Sequence, residues 1–211
     1  MNIGGIMDKI KGKWKYLIVI ILLLTFIGLL VSVLLERELY IDSFMYNTVV
    51  LNTRNDILTK GLTLITFLAS PTFLVIASII IFFILRTGKD KFHFTFNICF
   101  ITLLNQTLKR IIVRPRPNVI QLVKQGGYSF PSGHSMASVA FYGYLIYLLW
   151  KTKWNKKYKY IGTTLLVCLI FLICFSRIYL GVHYASDVLA GICLSAIHLI
   201  IYIGIIKKKE N

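Results

Sequence analysis

The sequence is short of charge, and of acidic residues above all. Only 15% of its 211 residues are charged, against about 25% in soluble domains, and 24 Lys and Arg face just 8 Asp and Glu. Because 57% of the residues are hydrophobic, this composition excludes a water-soluble core and shell. The few carboxylates form no cluster that would hold a metal ion.

Cysteines, repeats and low-complexity tracts are also scarce or missing. The four cysteines all fall inside apolar runs and show no paired metal-ligand spacing, which favours small apolar packing. With no internal repeat and closely spaced apolar runs, we expect residues 1–211 to form a single integral-membrane domain.

What the sequence has in abundance is long hydrophobic runs. A bilayer core of about 30 Å needs roughly 20 apolar residues in a helix. The sequence predicts an all-α bundle of six transmembrane spans, at 16–35, 61–85, 92–108, 136–150, 160–175 and 188–206. Pro71 predicts a kink in the second span, and Asn105, Gln106 and Thr107 make the end of the third polar.

Basic residues predict the orientation of this bundle. Of the 24 Lys and Arg, 15 lie at the two termini and in the two loops expected on the same side. The positive-inside rule makes that side cytoplasmic, with both termini there, and Trp14, Trp150 and Trp154 lie near the same face. The first run lacks a cleavage site and is predicted to be an uncleaved span. Because topology explains the net charge of +16, we expect a membrane and no nucleic acid as partner.

The remaining nine basic residues lie on the outer side, where the positive-inside rule disfavours them. Most fall in or near three polar stretches that the topology brings to that side. These stretches are KRIIVRPRP at 109–117, PSGH at 131–134 and SRIYLGVHYASD at 176–187. Charges at the edge of a membrane protein are typical of a functional site.

Residue types in these stretches suit a phosphate. Lys109, Arg116 and Arg177 have no adjacent acidic partner, and Arg and Lys both bind phosphate oxygens. Ser132 and Gly133 precede a predicted helix, whose amino end attracts anions. The alternative is an ordinary N-cap at Ser132 or Ser135, and a cap and an anion cradle are compatible.

Histidines complete the predicted chemistry. The four-residue spacing of His183 and Asp187 places both on one helical face, so that the carboxylate can hold one imidazole nitrogen and leave the other as a nucleophile. His134 offers a second imidazole for proton transfer. These parts suit phosphoryl transfer. His93, at the start of the third span, and His198, deep in the sixth, are expected to be packed or polar surface side chains without a catalytic role.

Together the three stretches resemble the signature of the type 2 phosphatidic acid phosphatase family, which shares its site with vanadium haloperoxidases. That signature is K-x6-RP, PSGH and SR-x5-H-x3-D, and all 11 fixed positions are present in order. The resemblance implies that His183 is the nucleophile, Asp187 its orienting partner and His134 the general acid and base. It further implies phosphoryl binding by Lys109, Arg116, Ser132, Gly133 and Arg177, with no metal and no cofactor.

The resemblance also implies a lipid phosphate substrate, and an outward site favours undecaprenyl diphosphate. Phosphatidylglycerophosphate and phosphatidic acid are the alternatives within the family. Outside this activity, a vanadate-dependent peroxidase and a non-enzymatic lipid transporter or binding protein remain as competing classes. Arg110 and Arg114 lie outside the fixed positions and are expected to be solvated rather than to touch a second phosphate or headgroup.

The segment 36–60 has a helical pattern at Ile41, Phe44, Met45 and Val49. It predicts an amphipathic helix at the membrane interface, acting either as a gate for the lipid or as a simple connector over the outer end of the bundle. The connector is the favoured interpretation.

Overall fold

A computed structural model describes residues 3–36 and 39–210, with side chains described for 14–36 and 39–209. The described chain is helical and contains no strand. Arg37 and Glu38 of the segment 36–60, and the side chains of Lys9, Lys11 and Lys13, lie outside the described residues. The helices are α1 (Ile3–Leu34), α2 (Tyr40–Met45), a π-helical segment (Tyr46–Leu51), α3 (Asp56–Phe67), α4 (Pro71–Ile84), α5 (Gly88–Ile112), α6 (Gly133–Lys151), α7 (Lys156–Tyr179) and α8 (Ala185–Glu210).

Side-chain caps set the helix starts. Ser70 accepts a hydrogen bond from the Phe73 amide (3.2 Å), and Pro71, which lacks an amide hydrogen, occupies the first turn of α4. The predicted second span is therefore broken into α3 and α4, which meet at an angle of 47°. Thr87 caps α5 in the same way, and α5 ends at Val113 in a left-handed conformation.

Four stretches among the described residues are long and apolar enough to cross a membrane. They are Trp14–Leu34, Lys156–Tyr179, Ala185–Lys209 and the bent pair α3 and α4. α5 and α6 are long enough but more polar, because α5 buries Asn97 and Asn105 and α6 buries Ser135 and Ser138. The six-span arrangement and the cytoplasmic termini therefore remain predictions.

α6 is the central helix and packs against α5, α7 and α8, while α1 lies along α8 and α3 along α7. Small residues allow α6 and α8 to approach closely: a Cβ on Gly191 would lie 2.9 Å from the Ser132 carbonyl oxygen, and Ser195 Oγ donates to the Met136 carbonyl (3.0 Å). The Ser132 amide in turn donates to the Asp187 carbonyl oxygen (3.0 Å). This packing brings the start of α6 next to the start of α8.

His93 and His198 are packed helix side chains, as predicted. His93 Nδ1 lies 2.9 Å from the Tyr202 hydroxyl, and His198 Nε2 lies 3.0 Å from Asn97 Oδ1. The His198 ring also stacks on Phe100, with centroids 4.6 Å apart.

The connector between α1 and α3 differs from the single amphipathic helix predicted over 36–60. It consists of the six-residue α2, the π-helical segment and a turn into α3. Val49 is buried, whereas Phe44 is 48% exposed, so the predicted apolar face is not buried as one stripe. Asp42 is buried instead. A polar contact therefore holds part of this connector to the bundle.

Candidate active site

The turn between α7 and α8 places His183 against Asp187 in the first turn of α8. His183 Nδ1 lies 3.3 Å from Asp187 Oδ2, and both side chains are buried. The same carboxylate oxygen accepts hydrogen bonds from the Tyr184 amide (3.0 Å) and from Ser129 Oγ. A fixed carboxylate favours the imidazole tautomer that carries its proton on Nδ1, which leaves the lone pair on Nε2.

Arg116 lies on the other side of this imidazole. Its Nη1 is 3.2 Å from His183 Nε2, and carbonyl oxygens of Val182, Gly126 and Gly127 hold the guanidinium in place. Burial lowers the pKa of His183 to about 4; the hydrogen bond and charge of Asp187 oppose this shift, and nearby arginines add to it. His183 is therefore neutral near pH 7, as a nucleophile must be.

Arg177, at the end of α7, is a buried cation with no carboxylate partner in the part of the chain that the structure describes. Its side chain donates to Thr66 Oγ1 (2.8 Å) and Gln125 Oε1 (2.9 Å), and its Nε has no hydrogen-bond partner among the described residues. The residue is 1% exposed. A guanidinium buried in this way is costly, and a bound anion would relieve that cost.

The amino end of α6 forms another part of the site. Ser132 is the N-cap, since its Oγ accepts from the Ser135 amide (3.4 Å) and from Ser135 Oγ (3.0 Å). Gly133 lies so close to α5 that a Cβ would be 3.0 Å from Asn105 Oδ1. The N-cap that the sequence predicted as the alternative to an anion-binding turn is thus present at Ser132. Gly133 and His134 nevertheless line the adjoining cavity.

His134 lies ahead of the predicted span 136–150 and beside the cationic groups. Burial, together with the smaller effects of the charges of Arg177, His183, Arg116 and Lys109, lowers its pKa to about 2. The imidazole is therefore neutral while no anion is bound. An incoming phosphate would raise this pKa, because a negative charge stabilises the imidazolium.

A cavity of about 620 Å³ gathers these groups. Of the eight predicted site residues, five line it, namely Lys109, Arg116, Gly133, His134 and His183. Ser132, Arg177 and Asp187 are fully or almost fully buried next to these residues. A second wall is apolar and comes from α4 and α5, including Leu74, Val75, Ile79, Ile98 and Ile101. A cavity that is cationic at one end and apolar along one side suits an amphiphilic anion.

Comparison with known proteins agrees with this geometry. Residues 90–210, more than half of the chain, match the PAP2 superfamily. The chain belongs to the PAP2 superfamily. The resemblance that the three stretches predicted is thereby confirmed.

Relatives of this PAP2 chain include named lipid phosphatases. Phosphatidylglycerophosphatase B of Bacillus subtilis is 38% identical over 110 residues, which are 50% of this chain and 53% of that protein. Dolichyldiphosphatase of Saccharomyces cerevisiae is 32% identical over 146 residues, 64% of this chain and 61% of that protein. The chain therefore spans about half to two thirds of the length of these relatives.

Solved structures extend the similarity to almost the whole chain. The crystal structure of a transmembrane PAP2-type phosphatidylglycerolphosphate phosphatase from Bacillus subtilis aligns with a TM-score of 0.81 and 30% identity, over 90% of this chain and 96% of that one. LpxE of Aquifex aeolicus aligns with a TM-score of 0.66 and 25% identity, over 79% and 97%.

One prediction about the outer arginines of this PAP2 chain was wrong. Arg114 is not solvated: its Nη1 lies 2.6 Å from Asp187 Oδ1 and its Nη2 lies 3.0 Å from Asp42 Oδ2, with 13% of its side chain exposed. Arg110, by contrast, is exposed. Two carboxylates hold Arg114 inside the protein, and the sequence separates them from it by 72 and 73 residues.

Other polar residues at the site carried no prediction. Ser129 lies two residues before Pro131 and bonds Asp187, while Thr66 and Gln125 bond Arg177. The position of Ser129 next to the PSGH stretch was a usable signal. Thr66 lies far along the chain from the predicted stretches, and Gln125 lies between the first two without belonging to either, so neither gave a signal.

Proposed function

We propose that this protein is a membrane lipid phosphatase that transfers a phosphoryl group from a lipid to His183 and then to water. The observation that carries the proposal is the geometry of His183: Asp187 holds its imidazole at Nδ1 and Arg116 faces Nε2, at the cationic end of a partly apolar cavity. That arrangement offers a nucleophile, a charge clamp and room for a lipid tail.

In the first step, His183 Nε2 attacks the phosphorus and the bond from phosphorus to the leaving oxygen breaks. His134 donates a proton to that oxygen, and the phosphohistidine keeps its proton on Nδ1, from which it donates a hydrogen bond to Asp187. The negative charge of the substrate raises the pKa of His134 above its low value in the empty cavity, which allows this imidazole to carry the proton.

In the second step, a water molecule attacks the phosphorus of the phosphohistidine and the bond from phosphorus to His183 Nε2 breaks, while His134 takes a proton from that water and inorganic phosphate leaves. Lys109, Arg116 and Arg177, with the amino end of α6 at Ser132 and Gly133, neutralise the phosphoryl oxygens in both steps. Preorganised cations of this kind stabilise the charge of the transition state.

Undecaprenyl diphosphate is the leading substrate in this proposal. In the topology predicted from the sequence, the site lies on the extracytoplasmic face of the cell membrane, because the lysine-rich loops lie on the opposite, cytoplasmic side. A relative named dolichyldiphosphatase supports a polyprenyl diphosphate. Phosphatidylglycerophosphate is the second candidate, since one relative and one aligned structure are named for its hydrolysis. Phosphatidic acid is the third.

Purified protein in detergent, offered a panel of these lipids, tests the proposal through release of inorganic phosphate. We expect His183→Ala to abolish phosphate release while its unfolding temperature stays close to that of wild type. The matched His93→Ala variant should keep its activity, because His93 is a packed side chain away from the cavity. Phosphate release would also exclude the transporter or binding-protein class. Near wild-type turnover by His183→Ala would overturn the mechanism.

A further inference from the structure

The connector between α1 and α3 contributes an acid to the neighbourhood of the catalytic pair. Asp42, in α2, is 9% exposed and directs its carboxylate at the first turn of α8. Its Oδ1 accepts from the Ser186 amide (2.8 Å), and its Oδ2 accepts from Ser186 Oγ (2.7 Å). Because Ser186 immediately precedes Asp187, α2 is fastened to the backbone that carries the catalytic carboxylate.

Arg114 joins the two carboxylates. Its Nη1 donates to Asp187 Oδ1 (2.6 Å) and to Ser186 Oγ (2.7 Å), and its Nη2 donates to Asp42 Oδ2 (3.0 Å). The guanidinium also lies over the Tyr184 ring, 4.0 Å from its centroid. One arginine therefore lies between Asp187, which faces His183, and Asp42, which does not.

The charges of this group matter to His183. Arg114 alone would cancel the charge of Asp187, and Asp42 restores a net charge of minus one to the three residues together. The other groups that face His183 are Arg116 from the α5–α6 loop, Arg177 from α7 and His134 from α6, and none of these is acidic. The negative charge available to a phosphorylated imidazole thus depends on Asp42.

We infer that Asp42 is a positioning residue for phosphoryl transfer: through Arg114 and Ser186 it holds Asp187 in place and preserves the negative charge that Asp187 presents to His183. The inference rests on the proposed roles of His183 and Asp187. It makes the connector part of the catalytic apparatus, beyond the role of a cover for the bundle.

Three variants separate the charge from the packing. Asp42→Asn gives the group a net charge of zero, Arg114→Gln gives minus two, and the double variant returns it to minus one. The readout is the pH at which kcat/KM falls on the acid side, measured with one substrate so that the ionisation of the lipid is common to all. A positioning effect moves this acid limb, whereas a general loss of folded protein lowers all rates equally.

The signs are opposite for the two single variants. More positive surroundings lower the pKa of His183, so Asp42→Asn moves the acid limb to lower pH, and Arg114→Gln moves it to higher pH. A unit charge about 10 Å away, at an effective dielectric constant of about 20, shifts a pKa by roughly one unit, so we expect about half a unit to one unit. The double variant should have its limb near the wild-type pH.

Magnitude and control complete the test. We expect Asp42→Asn to lower kcat by about 10- to 100-fold with KM little changed, because Asp42 lies outside the substrate cavity. Asp56→Asn is the matched control, since Asp56 is exposed on the same outer side and should leave both kcat and the acid limb unchanged.

Each outcome is decisive. Wild-type kcat and an unmoved acid limb in Asp42→Asn would overturn the inference, and so would shifts of the same sign in both single variants. If Asp42→Asn fails to fold, Arg114→Gln decides alone through the direction of its shift. Activity retained by His183→Ala would instead defeat the proposed function, which keeps the two failures distinct.

Discussion

Arg177 allows folding and function to be separated by one substitution. Arg177→Met keeps a long unbranched side chain and removes a guanidinium that is 1% exposed and has no carboxylate partner among the described residues. If the guanidinium is there to bind phosphate, its removal should damage catalysis far more than stability.

The expected change in stability follows from two opposing costs. Loss of the hydrogen bonds to Thr66 and Gln125 removes about 3–6 kcal/mol, at about 1.5–3 kcal/mol for each bond to a charged group. Removal of a buried charge that lacks an ion pair also removes its desolvation penalty, which is on the order of several kcal/mol. Because these terms nearly cancel, we expect the free energy of unfolding to stay within about 2 kcal/mol of wild type.

The expected change in catalysis is much larger. Truncation of one partner of a buried, hydrogen-bonded charge pair costs about 2–5 kcal/mol. In kcat/KM this corresponds to a loss of roughly 30- to 5,000-fold. In wild type, inorganic phosphate at a hundred times its Kd should add about 2.7 kcal/mol to the free energy of unfolding and so raise the unfolding temperature. In Arg177→Met this stabilisation by phosphate should be lost.

Phosphate release and thermal unfolding of the same detergent-purified sample measure both effects. Arg86→Met is the matched control, because Arg86 is exposed at the opposite end of the bundle from the site. Wild-type kcat/KM in Arg177→Met would refute the reasoning, and so would an unfolding temperature that falls as steeply as the activity, since Arg177 would then be a structural cation.

Two further predictions concern metals and sidedness. Chelation with EDTA should leave turnover largely intact, since Lys109, Arg116 and Arg177 supply the positive charge at the phosphoryl group, and vanadate should inhibit as a five-coordinate mimic; activity lost on chelation and restored by a divalent ion would contradict this. With the native cysteines removed, an impermeant thiol reagent on intact cells should label a cysteine at Asn118 and spare one at Lys156, both of which are exposed positions, and the reverse labelling would contradict the outward-facing site.

Local sequence spacing accounts for the parts of the site that could be anticipated. His183 and Asp187 are four residues apart and lie at 3.3 Å, and Ser132 caps the helix that the PSGH stretch was expected to start. Both depend on short-range geometry that a helix start imposes on its own residues. The break at Pro71 is likewise a local effect of a residue without an amide hydrogen.

Contacts over long sequence separations could not be anticipated in this way. Arg114 belongs to a run of arginines at a helix end, where solvation is the ordinary outcome. Its burial depends on Asp42, 72 residues away, and the bond from Ser186 to Asp42 spans 144 residues. The spacing of residues within one segment does not predict which distant carboxylate will contact an arginine of that segment. The only hint in the sequence was the small number of acidic residues, 8 in all, which limits the carboxylates that could pair with Arg114.

The scarcity of acidic residues has a physical reason, which follows from the charges around the site. A cavity with Lys109, Arg116 and Arg177 around it favours anions, and each carboxylate facing it would repel the substrate and compete for those cations. Asp187 is tolerated because it meets His183 at the nitrogen that does not attack, and Asp42 is tolerated because Arg114 lies between it and the catalytic pair. The two buried acids of this region can thus supply negative charge to the imidazole while the phosphate meets only cations. This separation is why removal of the charge of Asp42 should be felt at His183 and not in the affinity for the lipid.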